Sequence, residues 1–337
     1  VTISNVGTPI RMSAVASLLT SGNNQFLQLN TRKYIWVDGN FMNYPAYWGY
    51  VNIPYHMTSG MTIQSAGRLQ IASNNIIKSA SGIFVDGKFI AQANPGESIF
   101  FTSVRDDNWG GDSNGDANNT SPARNDWQGI DFRASAVDSA SLLKRCQIRF
   151  ANYAIETNSA SPTIDSCILS INTRCASFEG ESSPIFTNNS LASSQQVPIA
   201  LDFNADPVMS ANSFSFSDNQ FDAIGLIGSQ ITRNSTIKVR ALGAITNITY
   251  VMLSTDITVQ AGRTLTIAPG VVIKHSQNNF AYNLFRVDGT LIMNGKPDSI
   301  ITITSVKDDA VGNPFDTNKD GNGSTPARND LGPIFIT

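Results

Sequence analysis

Charge is scarce in this chain. Of 337 residues only 15% are charged and the net charge is −3, so there is no basic surface to neutralise a phosphate backbone, and nucleic acid is excluded as a partner. Long apolar runs are missing too: nothing approaches the ~18 residues that a membrane span requires. Three cysteines, Cys146, Cys167 and Cys175, are too few for a disulfide framework and too scattered for a zinc cluster. Only two histidines occur, His56 and His275, and neither has an evident partner for acid–base or metal chemistry. Segments of helical period are absent. What remains is rich in Asn, Ser, Thr and Gly, a composition suited to many short strands and turns.

A short repeat organises the middle of the chain. The stretches "SPTIDSCIL", "SPIFTNNSL" and "DPVMSANSF" place Pro162, Pro184 and Pro207 at spacings of 22 and 23. Five residues after each proline stand Cys167, Asn189 and Asn212, and Cys146 lies 21 residues before Cys167. Two further on comes an apolar column, Ile148, Leu169, Leu191 and Phe214, flanked by outward positions such as Gln147 and Ser190. Alternation with period two makes these strands, and a return every ~22 residues pairs each strand in parallel with the next coil. Stacked coils satisfy one another's backbone groups and fill a narrow core. The implied architecture is an all-β parallel β-helix. With roughly fifteen coils at ~4.8 Å each, the rod would be on the order of 70 Å long.

A long repeat encloses the short one. Ser103-Val104-Arg105-Asp106-Asp107 matches Ser305-Val306-Lys307-Asp308-Asp309 at an offset of 202, and Arg124-Asn125-Asp126 matches Arg328-Asn329-Asp330 at 204. One continuous solenoid over 1–337 therefore reads as the end of a preceding module (1–40), one module of about 200 residues (41–240) and the start of the next (241–337). The ends fall inside patterned sequence, so further tandem modules are expected.

At this point the sequence resembles secreted bacterial right-handed parallel β-helix repeat proteins with Asp-rich calcium-loop insertions. The residues that carry the resemblance are "ITVQAGRTLTIAPGVVIKH…FRVDGTLIMNGKPDSIITITS", the Asp-rich insertion and the SP-x-I/F…N-x-L/F coils. It implies a right-handed β-helix with long Asp-rich insertions, located outside the cell or on its surface, with glycans or other surface proteins as partners.

Asp316, Asn318 and Asp320 put oxygen side chains at positions one, three and five of a loop, with Gly321 at six. That spacing wraps a short loop around a hard cation that wants six to eight oxygens, and calcium suits such a flexible loop better than magnesium. Asn322 would add a carbonyl. Position twelve is Ala327, not a glutamate, so the missing carboxylate must come from Asp308, Asp309 or Asp330. The first copy offers Asp112, Asn114, Asp116 and Asn118, with Asp106, Asp107 and Asp126 at its stem, but has Ala117 where the glycine belongs. Arg124 and Arg328 read as braces of the acidic loops, and Trp48, Tyr50 and Trp109 as exposed aromatics able to stack on sugars.

Two classes of function compete. A tandem, calcium-braced rod gains length with each copy, which favours a structural or adhesive role. A polysaccharide lyase or hydrolase would need a base beside the ion or two carboxylates on one strand face, and the sequence reveals no such pair clear of the loops. A noncatalytic carbohydrate-binding module would share the aromatics.

Overall fold

A computed structural model describes residues 2–4, 6–19, 25–26, 33–117, 119–215, 218–276 and 284–337. Its strands form a β-solenoid in which each ladder is parallel. The one helical element among these residues is a 3-10 turn, Asp138–Ala140. A coil contributes one strand to each of three faces. The first face holds nine strands, from Ile10–Ser13 to Ser213–Phe214, and the second holds eleven, from Phe41–Met42 to Thr302–Ser305. The third holds seven, from Pro45–Trp48 to Val208–Ser210; beyond it, two smaller sheets of four and three strands flank the second face as far as Ile334–Ile336. The second face crosses position 240 without a break, Ile224 pairing with Tyr250.

The columns expected from the short repeat are present: Ile148 pairs with Leu169, Leu169 with Leu191, and Leu191 with Phe214. Eleven strands on the longest face mean about eleven coils and a rod of about 50 Å, shorter than the fifteen coils anticipated. The Asp-rich insertions account for much of the difference, because they consume residues without adding a rung: Ile83 pairs with Ile130, whereas Ile155 pairs with Ala176.

Corners are built from stacked polar side chains. Asn189 Oδ1 accepts from the Cys167 amide and Asn212 Oδ1 from the Asn189 amide, both at 2.9 Å, while the Asn189 and Asn212 Nδ2 groups donate to the carbonyls of Ile164 and Phe186. Each asparagine thus satisfies two backbone groups, an amide and a carbonyl, of the preceding coil. Cys146 and Cys167 continue the column with thiols that donate to the carbonyls of Ala91 and Leu143, and all three cysteines are free and buried. The residue before each column member, Arg145, Ser166, Asn188 and Ala211, has φ between 53° and 58°. Stacking on the adjacent coils holds non-glycine residues in a region that costs each about 1–2 kcal/mol.

The two copies of the long sequence repeat are out of phase on the rod. Ile77-Lys78 and Ile273-Lys274 are equivalent in sequence, 196 residues apart, yet Lys78 lies on the first face and Lys274 on the second. The Asp-rich loops therefore leave the solenoid from different faces.

Candidate metal centre

Each Asp-rich loop springs from a strand end and is pinned at its stem. Thr102 Oγ1 donates to Asp106 Oδ2 (2.6 Å) and Thr304 Oγ1 to Asp308 Oδ2 (2.7 Å); the other oxygens accept from the amides of Asn108 and Ala310. Asp126 closes the first stem through Ser103 Oγ, the Ala123 amide and Arg105. Asp330 closes the second through the Ala327 amide and Lys307. These four carboxylates, Asp106, Asp126, Asp308 and Asp330, are engaged in the stems.

The adjacent aspartates turn into the loops. Carboxylate oxygens of Asp107, Asp112 and Asp116 lie within 4.8 Å of one another, as do those of Asp309, Asp316 and Asp320. Asp112 also shapes its loop, accepting from the amides of Gly115 (2.6 Å), Asp116 and Ala117 (3.0 Å); Asp316 accepts from those of Asp320 (3.1 Å) and Gly321 (3.0 Å). Asn114 and Asn318 each donate at 2.8 Å to the aspartate two residues on. Asn322 is exposed, and Asn118 lies outside the described residues. The two backbones match with their glycines exchanged: position four is Gly115 (φ 78°) or Lys319 (φ 61°), and position six is Ala117 (φ 53°) or Gly321 (φ 66°).

The donor set fits a cation. Asp107 Oδ1, Asp116 Oδ1, Asp309 Oδ1 and Asn318 Oδ1 are buried with no hydrogen-bond donor, and buried acceptors left in this way are costly unless something positive meets them. Burial, then the charges of Asp112 or Asp316, raise Asp107 and Asp309 above the ordinary carboxylate range. Burial also opposes ionisation of Asp112, but three backbone amides outweigh it and hold its carboxyl low.

Beneath each triad lies a lysine that the sequence reading passed over. Lys78 and Lys274 are fully buried, and their Nζ atoms donate to the equivalent loop carbonyls of Gly111 and Phe315. Burial pushes Lys78 down to about 8, against the pull of Asp106, Asp107 and Asp112; Lys274 is lowered by burial against Asp309, Asp308 and Asp316. The signal was visible as "IIKS" and "VIKH", a lysine at one register position in both modules.

Other expectations change. Trp48 is not exposed: it lies in the core, stacked on Tyr55 at 4.9 Å, because its strand position faces inward. Trp109 packs against Phe100 and under the Arg149 guanidinium at 3.4 Å, whereas Tyr50 is exposed. Arg124 does not brace its loop; it reaches along the rod to the Ser193 carbonyl and to Asp218 at 3.5 Å.

The second face also carries carboxylates on one strand surface, clear of both loops. Asp131 pairs in register with Glu156, and Glu156 with Ser177, whose Oγ donates to Glu179 Oε1 at 3.1 Å. Asp202 follows on the next coil. Burial, then Glu179 and Asp131, push Glu156 up to about 7, and burial raises Asp131 and Asp202. Arg133 bonds Asp131 at 3.1 Å, and Arg174 lies over the Tyr153 ring at 4.7 Å. Varying coil lengths hid this alignment in the sequence.

No protein-family model, curated protein or solved structure matches the chain. Among the described residues, no helix is long and apolar enough to cross a membrane.

Proposed function

We propose that this chain is a segment of an extracellular structural or adhesive rod whose Asp-rich loops are braced by calcium. The observation that carries the reading is the pair of equivalent triads, each with orphaned buried oxygens, mounted on coils that have their own ladder and core. Asp107, Asp112 and Asp116, with Asn114, would hold one ion; Asp309, Asp316 and Asp320, with Asn318, would hold the other. The ion would supply charge neutralisation, which fixes the shape of a loop poor in apolar side chains. Weak extracellular calcium sites work at 10⁻⁴–10⁻³ M or so, which suits three carboxylates and an amide. Sugars or other surface proteins are the partners such a rod would present itself to. Calorimetric titration of the intact chain tests the reading: two calcium ions per chain are expected, and no heat above dilution would overturn it.

A second reading is favoured by the carboxylate row. A glycan-cleaving enzyme needs two carboxyl groups flanking the scissile bond, one of them able to hold a proton near neutrality; Glu156, pushed up to about 7 by burial and paired in register with Asp131, meets the second condition. Incubation with neutral, uronate and amino-sugar polymers, following reducing ends and unsaturated products, separates the two readings. The rod predicts no turnover; turnover abolished by Glu156→Gln would establish the enzyme.

A further inference from the structure

The two loops do different things to the surface beneath them. One and two coils before Lys274, the outward positions are Val251 and Gly225. Val251 lies in a buried apolar cluster with Val197, Phe221 and Val306, and a Cβ on Gly225 would meet Leu253 Cδ1 at 2.6 Å and Val197 Cγ2 at 3.0 Å. The second loop is tied down beside this patch, the Thr317 carbonyl accepting from the Asp222 amide and the Asn313 carbonyl from the Thr249 amide. In the first module the same two positions are His56 and Trp36. Tyr34 stacks on His56 at 4.5 Å and 23°, and Trp36 lies 5.9 Å from His56 at 24°. His56 Nδ1 is 3.1 Å from Ser113 Oγ in the loop. Where these rings meet the loop is a cleft of about 330 Å³, lined by Trp36 and His56 from the coils and by Asp112, Asn114 and Gly115 from the loop.

We propose that this cleft binds a neutral pyranose, its apolar face against Trp36 and its vicinal hydroxyls toward the Asp112–Asn114 edge of the first loop. This inference rests on the calcium reading of that loop. A cation that takes six to eight oxygens is left short by three carboxylates and an amide, so two sugar hydroxyls can complete its shell where the loop meets the cleft. The chemistry of the walls selects the ligand. Aromatic rings match the C–H face of a sugar, and an acceptor-lined loop edge matches hydroxyl donors while repelling free carboxylates and phosphates. The volume falls at the lower end of the range for small-molecule sites, roughly 300–1,000 Å³, enough for one or two rings. Among the described residues the equivalent place under the second loop is filled by Val251, Leu253 and Val197.

The test uses the full chain loaded with calcium and titrated with neutral hexose, N-acetylhexosamine and uronate oligosaccharides, with calcium uptake measured in parallel. Binding of neutral hexose oligomers is expected, lost on chelation. Trp36→Ala should weaken it at least tenfold and Trp36→Phe less, with two-site calcium uptake and the β-signal in circular dichroism unchanged. No oligosaccharide bound by a chain that does take up two calcium ions would overturn the proposal, as would a Trp36→Ala variant that binds like the parent or a preference for uronates alone. If calcium is not taken up but sugar binds through Trp36, the metal reading fails and the cleft stands as a cation-independent sugar site.

Discussion

Replacing Lys78 by methionine separates two effects of a buried cation under an acidic loop. The ammonium anchors the loop through the Gly111 carbonyl, and it also repels any ion held by Asp107, Asp112 and Asp116. An ammonium and a divalent ion roughly 8 Å apart, at an effective dielectric of about 20–40, repel by about 2–4 kcal/mol. Against this stands a charge-assisted hydrogen bond of about 1.5–3 kcal/mol. The loop keeps other holds, however: Trp109 under Arg149 at 3.4 Å and His56 against Ser113 at 3.1 Å. Methionine preserves most of the buried apolar volume. The expected result at pH 7 is that one of the two calcium sites tightens by at least about thirtyfold, as about 2 kcal/mol or more requires, while the other is unchanged. A pH scan gives an independent check. The folded value of about 8 lies below the free 10.5, so the folded chain sheds this proton first. Stability should therefore rise between pH 8 and 10.5, by about 3 kcal/mol for a two-and-a-half-unit difference, and Lys78→Met should lose that rise. Calorimetry showing the site weakened tenfold would mean that anchoring outweighs repulsion, and the reasoning would be wrong.

Three further outcomes are expected. Glu156 has a folded value near 7, above the 4.5 of a free side chain, so the folded chain holds the extra proton between them and stability falls as pH rises through that window. Discounted for partial exposure, the loss is about 2 kcal/mol, and Glu156→Gln should flatten the denaturation profile between pH 5 and 7; an unchanged slope would contradict the assignment. Asn189→Ala leaves the Cys167 amide and the Ile164 carbonyl without their partner and should cost about 2–6 kcal/mol in urea denaturation, at 1–3 kcal/mol per buried group; a cost below 1 kcal/mol would remove the ladder from the account. Ala117→Gly relieves a left-handed alanine (φ 53°) at an exposed position and should tighten the first calcium site by about 1 kcal/mol; weakening there would show that the strain is not released.

The fold was legible because identity recurs along columns. Pro162, Pro184 and Pro207 mark the coil length, and Ile148 to Phe214 mark the inward face, so parallel stacking followed from spacing alone. The loop positions were legible for the same reason: Asp112, Asn114 and Asp116 repeat in Asp316, Asn318 and Asp320. Spacing could not decide which stem aspartate joins them. Asp106 and Asp107 are neighbours, and their opposite fates depend on Thr102, which binds Asp106 from the strand below. Lys78 and Lys274 stand at outward strand positions and read as solvent-facing; only the loop folding back over the coil buries them. The cleft at Trp36 was hidden by register, since Trp36, His56 and Lys78 come together only through three successive coils.

Chelation followed by limited proteolysis, with circular dichroism on the same samples, tests the central claim most directly. Calcium-loaded chain should resist cleavage throughout. After removal of the ion, cuts should appear first near Asp112 and Asp316, while the β-signal of the eleven-coil ladder persists. Loss of the whole β-signal in one step with the loops, or identical cleavage with and without calcium, would contradict the account.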